Sequence, residues 1–502
     1  MFLFKTVLLV VLVVWRCYAT LDLQGYESRV RAQLGGTGSS SWQQYETAIR
    51  ILQAEANSSH TSTGTVELLQ AQAESTGSEI NCPMQNSHTV PTSVHRLRPE
   101  DVKVVAAIGD SLTAASGAKA RTIIGLLTNY RGVSWSIGGQ ESLETYTTLP
   151  NILKKFNPHI VGFATGSGGP DSDHAKLDKA VAGAVSGDMV EQARKLVDIM
   201  KACEHIDFEH DWKVVTLLIG GNDLCAYCED TEKWSPIKYV ENIRAALDIL
   251  HQELPRTFVN VVTVMDVVEI SKLQRTFTCD VLHFFLCRCV SYASEEALAE
   301  LQAANMRYMS VTNRLVASGR YDDRDDFTVV VQPFLQETKL PRTETGEYDR
   351  SYFAPDCFHF SLKAHAAAAS ALWNNMLEPV GSKRTDWHVG EPLECPTEDR
   401  PYFATAKNSH SSLSSAGPGL GVKTFDSFQK TSQDTDKPAG RSQPAAGPTA
   451  MIVVGCVLLV FAAVGAAVFI LRRRRKVKGR EAQPLLQEST DMATVLTRSV
   501  SV

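Results

Sequence analysis

Three polar segments of this chain carry the residue types that ester hydrolysis requires. Gly109-Asp110-Ser111-Leu112 offers a hydroxyl. Gly220-Gly221-Asn222-Asp223 offers a side-chain amide. Asp356-Cys357-Phe358-His359 offers an imidazole with a carboxylate three residues before it. A free serine is a poor nucleophile and needs a base beside it. The base needs a partner that fixes its tautomer. The oxyanion that forms needs donors aimed at it. Ser111 is therefore the candidate nucleophile, His359 the base and Asp356 its orienting partner. Asn222 and the backbone N–H of Ser111 are candidate oxyanion donors. Taken singly, each segment is a common kind of turn, so the order and context of the three carry the reading.

That context is an alternation of strands and helices. Residues 102–108, 214–219, 258–264 and 328–331 are short apolar, β-branched runs, as buried parallel strands are. Residues 190–200, 236–254 and 294–318 have apolar residues at helical spacing, with Pro236 in a first turn. Residues from 361 through Trp373 predict a further helix, with Ser361 as its N-cap. Such alternation predicts an α/β fold with a mostly parallel central sheet covered on both faces. Sites in these sheets gather at the carboxyl ends of the strands. The serine and asparagine segments directly follow predicted strands, and the Asp356–His359 pair precedes a helix.

The three segments, in this order, resemble the GDSL or SGNH hydrolases. The resemblance implies a three-layer α/β/α fold, a Ser111–His359–Asp356 triad and an oxyanion hole with one further backbone N–H from a glycine. Ala180-Val181-Ala182-Gly183-Ala184 resembles the block that supplies it, which assigns the role to Gly183; Gly138-Gly139 competes. Four further blocks begin at Val90, Trp135, Val329 and Pro355 and are similar to the membrane-associated phospholipase B branch of that family. The similarity covers residues 88–395. It implies phospholipase A and lysophospholipase activity on glycerophospholipids and related lipid esters, with no cofactor and no metal. Mammalian members of that branch carry several tandem hydrolase units, and this chain carries one. The chemistry alone supports a carboxylic ester hydrolase. A carbohydrate or small-ester deacetylase uses the same constellation. An inactive receptor or adhesion ectodomain would favour loss of Ser111, Asp356 or His359, and all three are present. The G-x-S-x-G elbow of α/β-hydrolases is not evident around Ser111.

The ends of the chain predict a type I, single-pass protein of the plasma membrane with its catalytic domain outside. Residues 1–19 read as a signal peptide: Lys5, an apolar run, then small residues before a cut after Ala19. Residues 450–471 carry no charge. At about 1.5 Å per residue they match a hydrocarbon core about 30 Å thick. Arg472, Arg473, Arg474, Arg475 and Lys476 follow, which predicts a cytosolic tail over 472–502. Between the ends, residues 20–90 read as a weakly structured extension with helical patterns near 42–56 and 66–74. Residues 91–396 read as the hydrolase domain and 397–449 as a Ser/Gly/Pro-rich stalk. Asn57 lies in the one glycosylation sequon found in the ectodomain. Leu485 and Leu486 resemble a dileucine signal for sorting adaptors, and the terminal Val502 resembles a weak PDZ ligand.

Nine cysteines fall in the predicted ectodomain, so disulfides are expected with at least one thiol left over. Cys225-x-x-Cys228 and Cys287-x-Cys289 also have zinc-like spacing, but an extracellular setting favours disulfides. The net charge of −6 argues against nucleic acid as a partner. His159, His174, His205, His210, His283 and His365 form no metal-ligand motif and read as surface or packing residues. The apolar segment 281–289 reads as core rather than as a lipid contact.

Overall fold

The computed structural model describes residues 23–34, 40–58, 76–83, 89–273, 276–388 and 390–413. The expected signal peptide, membrane anchor and tail, the pattern at 66–74, and most of the stalk lie outside the described residues. Among the described residues no helix is long and apolar enough to cross a membrane. The chain divides into two units. One comprises Met1–Arg29 and Leu420–Val502, of which residues 23–29 are described, as the start of a helix over residues 23–34 (α1). The other, Val30–Gly419, carries all that follows.

The helices of this second unit are α2 (Ser41–Ser58), α3 (Leu149–Leu153), α4 (Met189–Ala202), α5 (Gly221–Cys225), α6 (Pro236–Glu253), α7 (Phe277–Leu286), α8 (Glu295–Ala317), α9 (Leu362–Leu377) and α10 (Ala406–Leu413). Four strands, β1 (Val102–Gly109), β2 (Trp212–Leu218), β3 (Thr257–Val262) and β4 (Phe327–Gln332), form a parallel sheet in the order β1-β2-β3-β4. The helices α4, α6 and α8 link successive strands, which parallel pairing requires.

Side chains alternate across each strand. Val104, Ala106 and Ile108 join Val215, Leu217, Val259 and Val329 in a core shared with α4, α6 and α8. Val105 and Ala107 join Val214, Phe258 and Val330 in a second core with Trp135, α3 and α9. Both faces are covered, so most strand positions on either side are apolar, with Thr216, Asn260 and Gln332 among the buried polar exceptions, and the three-layer α/β/α architecture follows. Gly109 pairs with Leu218 across the β1–β2 ladder. The two segments that follow, carrying Ser111 and Asn222, therefore leave adjacent strands at the same edge of the sheet.

Several local expectations meet a specific answer. Ser361 is the N-cap residue of α9, but its hydroxyl donates to the Ser351 carbonyl at 2.6 Å and makes no side-chain cap bond. The segment 281–289 lies in α7 and the residues after it, with Val281, Leu282, Phe285 and Leu286 buried as core. Four disulfides form: Cys82–Cys395, Cys225–Cys287, Cys228–Cys289 and Cys279–Cys357. The two closely spaced cysteine groups thus bond to each other and hold no zinc. Cys203 is a free thiol. The stretch 20–90 carries an ordered element that its composition understates: α2 runs for 18 residues, with Tyr45, Ala48, Ile49 and Leu52 buried at helical spacing.

Candidate active site

Ser111 sits in the turn that follows β1. That turn must pass close to the neighbouring strand. A Cβ on Gly109 would lie 2.5 Å from the Leu218 carbonyl oxygen, so only glycine fits. Gln192 of α4 fixes the same point. Its Oε1 accepts from Gly109 N–H at 2.8 Å and its Nε2 donates to Gly109 C=O at 3.0 Å. Asp110 caps the turn by accepting from Leu112 N–H at 2.9 Å.

His359 lies between Ser111 and Asp356. Its Nε2 is 2.9 Å from Ser111 Oγ, and its Nδ1 is 2.6 Å from Asp356 Oδ2. An ionised carboxylate can only accept, so the Nδ1 side carries the proton and Nε2 is free to take one from the serine. Asp356 Oδ1 accepts the backbone N–H groups of Phe358 and His359, both at 3.0 Å, which closes the loop into a tight turn. Burial alone would raise the Asp356 carboxyl. The charge of His359, its hydrogen bond and that of Tyr45 outweigh burial and hold it down at about 2. The loop is anchored from α7, by the Cys279–Cys357 disulfide and by His283 Nε2, 3.0 Å from the Cys357 carbonyl.

The other oxyanion candidates, Gly183 and Asn222, lie on another pair of segments. Residues 178–181 run alongside β1, with Lys179 N–H on Ala107 C=O and Val181 N–H on Gly109 C=O. They carry the chain to Gly183, which adopts a left-handed φ of +78°. Asn222, in α5, donates Nδ2–H to the Ala184 carbonyl at 2.8 Å. Its neighbour Asp223 is buried and accepts from Ser186 N–H at 2.9 Å. Burial lifts Asp223 to about 6 against the pull of these bonds. The loop after Gly183 is thus bolted to the start of α5. The competing glycines have other partners: Gly138 N–H donates to Ser134 C=O and Gly139 N–H to Ala164 C=O.

Ser111, Asp356 and His359 come together although the serine and histidine are 248 positions apart. Asn57 is exposed in the last turn of α2, with its Oδ1 accepting from Gln53 Nε2 at 3.0 Å. Leu485 and Leu486 lie outside the described residues. Among the described residues no group of three or more His, Cys, Asp or Glu side chains is arranged to hold a metal ion. His365 is buried in α9, where it accepts from Trp135 N–H, and His210 pairs with Asp207 at the surface.

Two residues at the site had no functional reading from sequence. Tyr45 of α2 donates its hydroxyl to Asp356 Oδ2 at 2.7 Å. Trp42, one turn earlier, lies edge-on to the His359 ring at 5.8 Å. Its Cβ also fills the space beside Gly183, where an added Cβ would come within 2.5 Å. The helical pattern near 42–56 falls on this helix, but nothing in it names the partner.

The profile of the GDSL-like Lipase/Acylhydrolase family matches residues 105–372. The mouse protein "Phospholipase B1, membrane-associated" is 49% identical over 345 residues, which cover 66% of this chain and 23% of that one. The human protein of the same name is 49% identical over 343 residues, covering 66% and 24%. The rat protein is 47% identical over 344 residues, covering 66% and 24%. The chain thus spans about a quarter of the length of these relatives.

Proposed function

Because the chain belongs to the GDSL-like lipase/acylhydrolase family, we propose that it is a serine hydrolase of acyl esters in glycerophospholipids and lysophospholipids, acting through Ser111, His359 and Asp356. The observation that carries the reading is the unbroken relay from Ser111 Oγ through the His359 ring to Asp356, at 2.9 and 2.6 Å. The lipid assignment draws on the names of the relatives, which align over two thirds of this chain.

Ser111 Oγ attacks the acyl carbonyl while His359 Nε2 takes its proton. The C=O π bond opens and the oxygen becomes an oxyanion. The backbone N–H groups of Ser111 and Gly183 and the second Nδ2–H of Asn222 stabilise that charge. His359 then gives the proton to the departing alcohol oxygen, which leaves as a lysophospholipid or a glycerophosphodiester. Water repeats the sequence on the acyl-enzyme and releases the fatty acid. Asp356 stays ionised throughout and holds the imidazole in one tautomer.

The same proposal gives the chain a cleaved leader over 1–19, a span over 450–471 and a cytosolic tail. That topology holds the hydrolase domain, 91–396, outside the plasma membrane next to its lipid substrate. Asn57 is then a glycan acceptor, and Leu485 with Leu486 engages sorting adaptors.

The test uses the full chain in membranes, with chelator present. Fatty acid release is followed from phosphatidylcholine, lysophosphatidylcholine and a short acetyl ester, beside Ser111→Ala. We expect release from both phospholipids and none from the variant, with the melting temperature of the variant unchanged. Turnover of the acetyl ester alone would overturn the lipid assignment. Full activity of Ser111→Ala would overturn the triad.

A further inference from the structure

We propose that Tyr45 is a positioning residue of the triad, donating its hydroxyl to the Asp356 oxygen that holds His359, from a helix that lies outside the family-matched residues 105–372. The inference rests on the Ser–His–Asp reading above. Helix α2 brings Tyr45 to the site across 311 positions of sequence.

An ionised aspartate offers about four lone-pair sites. Asp356 receives four donors: Phe358 N–H and His359 N–H on Oδ1, and His359 Nδ1–H and Tyr45 O–H on Oδ2. The residue has no exposed surface, so water does not replace a missing donor. Without Tyr45, one buried lone pair is left unmet, and Oδ2 is held by the imidazole alone. The hydroxyl therefore fixes the direction from which Oδ2 meets Nδ1. It also draws charge from the oxygen that stabilises the imidazolium.

The surroundings keep Tyr45 in this role. Its ring is buried and sits 5.9 Å from the His359 ring, beside the edge-on Trp42. Burial and the charge of Asp356 push its ionisation well above the ordinary tyrosine range, so the hydroxyl remains a donor at any working pH. Ala48, Ile49 and Leu52 bury the same helix face, and α2 packs against α7, the helix disulfide-bonded to the triad loop. Other titratable groups act nearby: Glu46 on α2 on Tyr45 itself, Asp110 after β1 and His365 on α9 on His359, and His283 of α7 on the Cys357 carbonyl. All are retained when only Tyr45 changes, so their influence is common to the proteins compared.

The experiment is the pH dependence of turnover by the full chain in membranes, with lysophosphatidylcholine as substrate. Tyr45→Phe is expected to lower kcat about tenfold, the worth of one hydrogen bond to a charged group. KM should change little, because Tyr45 acts through Asp356 and not on the lipid. The acid limb of the profile should move to higher pH, since Asp356 keeps more of its charge for the imidazolium. Incorporation of 3-fluorotyrosine at position 45 preserves size and sharpens the donor. It should move the limb to lower pH, and it serves if Tyr45→Phe fails to fold. Leu52→Ala loosens the helix and keeps the hydroxyl, so it should lower the melting temperature and leave the limb in place.

An unchanged profile and kcat in Tyr45→Phe would overturn the proposal. So would a rise in kcat, which would make α2 an obstructing cover, or an equal shift in Leu52→Ala. Ser111→Ala is assayed in parallel. Activity in that variant would overturn the triad and this inference together. An inactive Ser111→Ala with an unmoved Tyr45→Phe would overturn this inference alone.

Discussion

Asp356 and Asp110 are both fully buried close to the same histidine, and they are driven in opposite directions. Asp356 is held at about 2 because donors and the charge of His359 outweigh burial. Asp110 is lifted to about 7 because burial outweighs its backbone hydrogen bonds, that from Leu112 N–H foremost, and the attraction of His359. A carboxyl lifted this way favours the folded state while it stays protonated. Its contribution is complete below the ordinary aspartate value and is lost as pH rises to about 7. Asp110→Asn should therefore flatten the fall in melting temperature across that window by several degrees, read by thermal unfolding against pH. His365 acts at the other end. Burial depresses it to about 3, so protonation of the unfolded chain costs stability as pH falls from the ordinary histidine value towards that figure. His365→Gln should remove part of that acid loss. For catalysis, Asp356→Asn should cost about 10⁴ in kcat, as expected when the base loses its tautomer. Asn222→Ala should cost about 10² to 10³ in kcat with a small change in KM; steady-state kinetics on one lysophospholipid measures both. Ser111, His359 and Asp356 were legible as candidates because nucleophile, base and orienting acid are chemically distinctive, and the structure brings the three together. Tyr45 was not, since a buried tyrosine on an amphipathic helix looks the same whether its hydroxyl meets an aspartate or a carbonyl.

The strands and long helices could be read because each is a continuous apolar run or a long periodic one. Their observed ends differ from the expected ones by a residue or two at β1, α4, α6 and α8, which is the usual fraying of such boundaries. The connecting loops could not be read, because their shape depends on partners far away in sequence. Gly183 is set by Trp42, and the 356–359 turn by a disulfide to α7. This anchoring gives an element-scale prediction. Replacing both Cys279 and Cys357 by serine should cost about 2 to 4 kcal/mol of stability, visible as a lower melting temperature in thermal unfolding. The same variant should also lose turnover well below its melting point, because the loop that carries Asp356 and His359 loses its tether. Loss of stability alone, with normal kcat at low temperature, would show the turn to be self-sufficient.

At the scale of the molecule, two cores separated by one parallel sheet place all catalytic candidates along a single edge. The Cys82–Cys395 disulfide joins residues 313 positions apart, so Ser111, Asn222, Asp356 and His359 all lie inside one closed covalent ring. A protease that nicks the exposed stretch 342–347 cuts that ring once and releases nothing until a reductant is added. Helix α2 stands outside it, and no cysteine occurs between Tyr18 and Cys82 to tie it in. One cut between residues 58 and 82 breaks the covalent link between Tyr45 and that ring and leaves it held to Asp356 by its hydrogen bond and by packing. The candidate catalytic groups survive a backbone break as a unit, whereas the residue proposed to steady them has no covalent hold of its own on that ring.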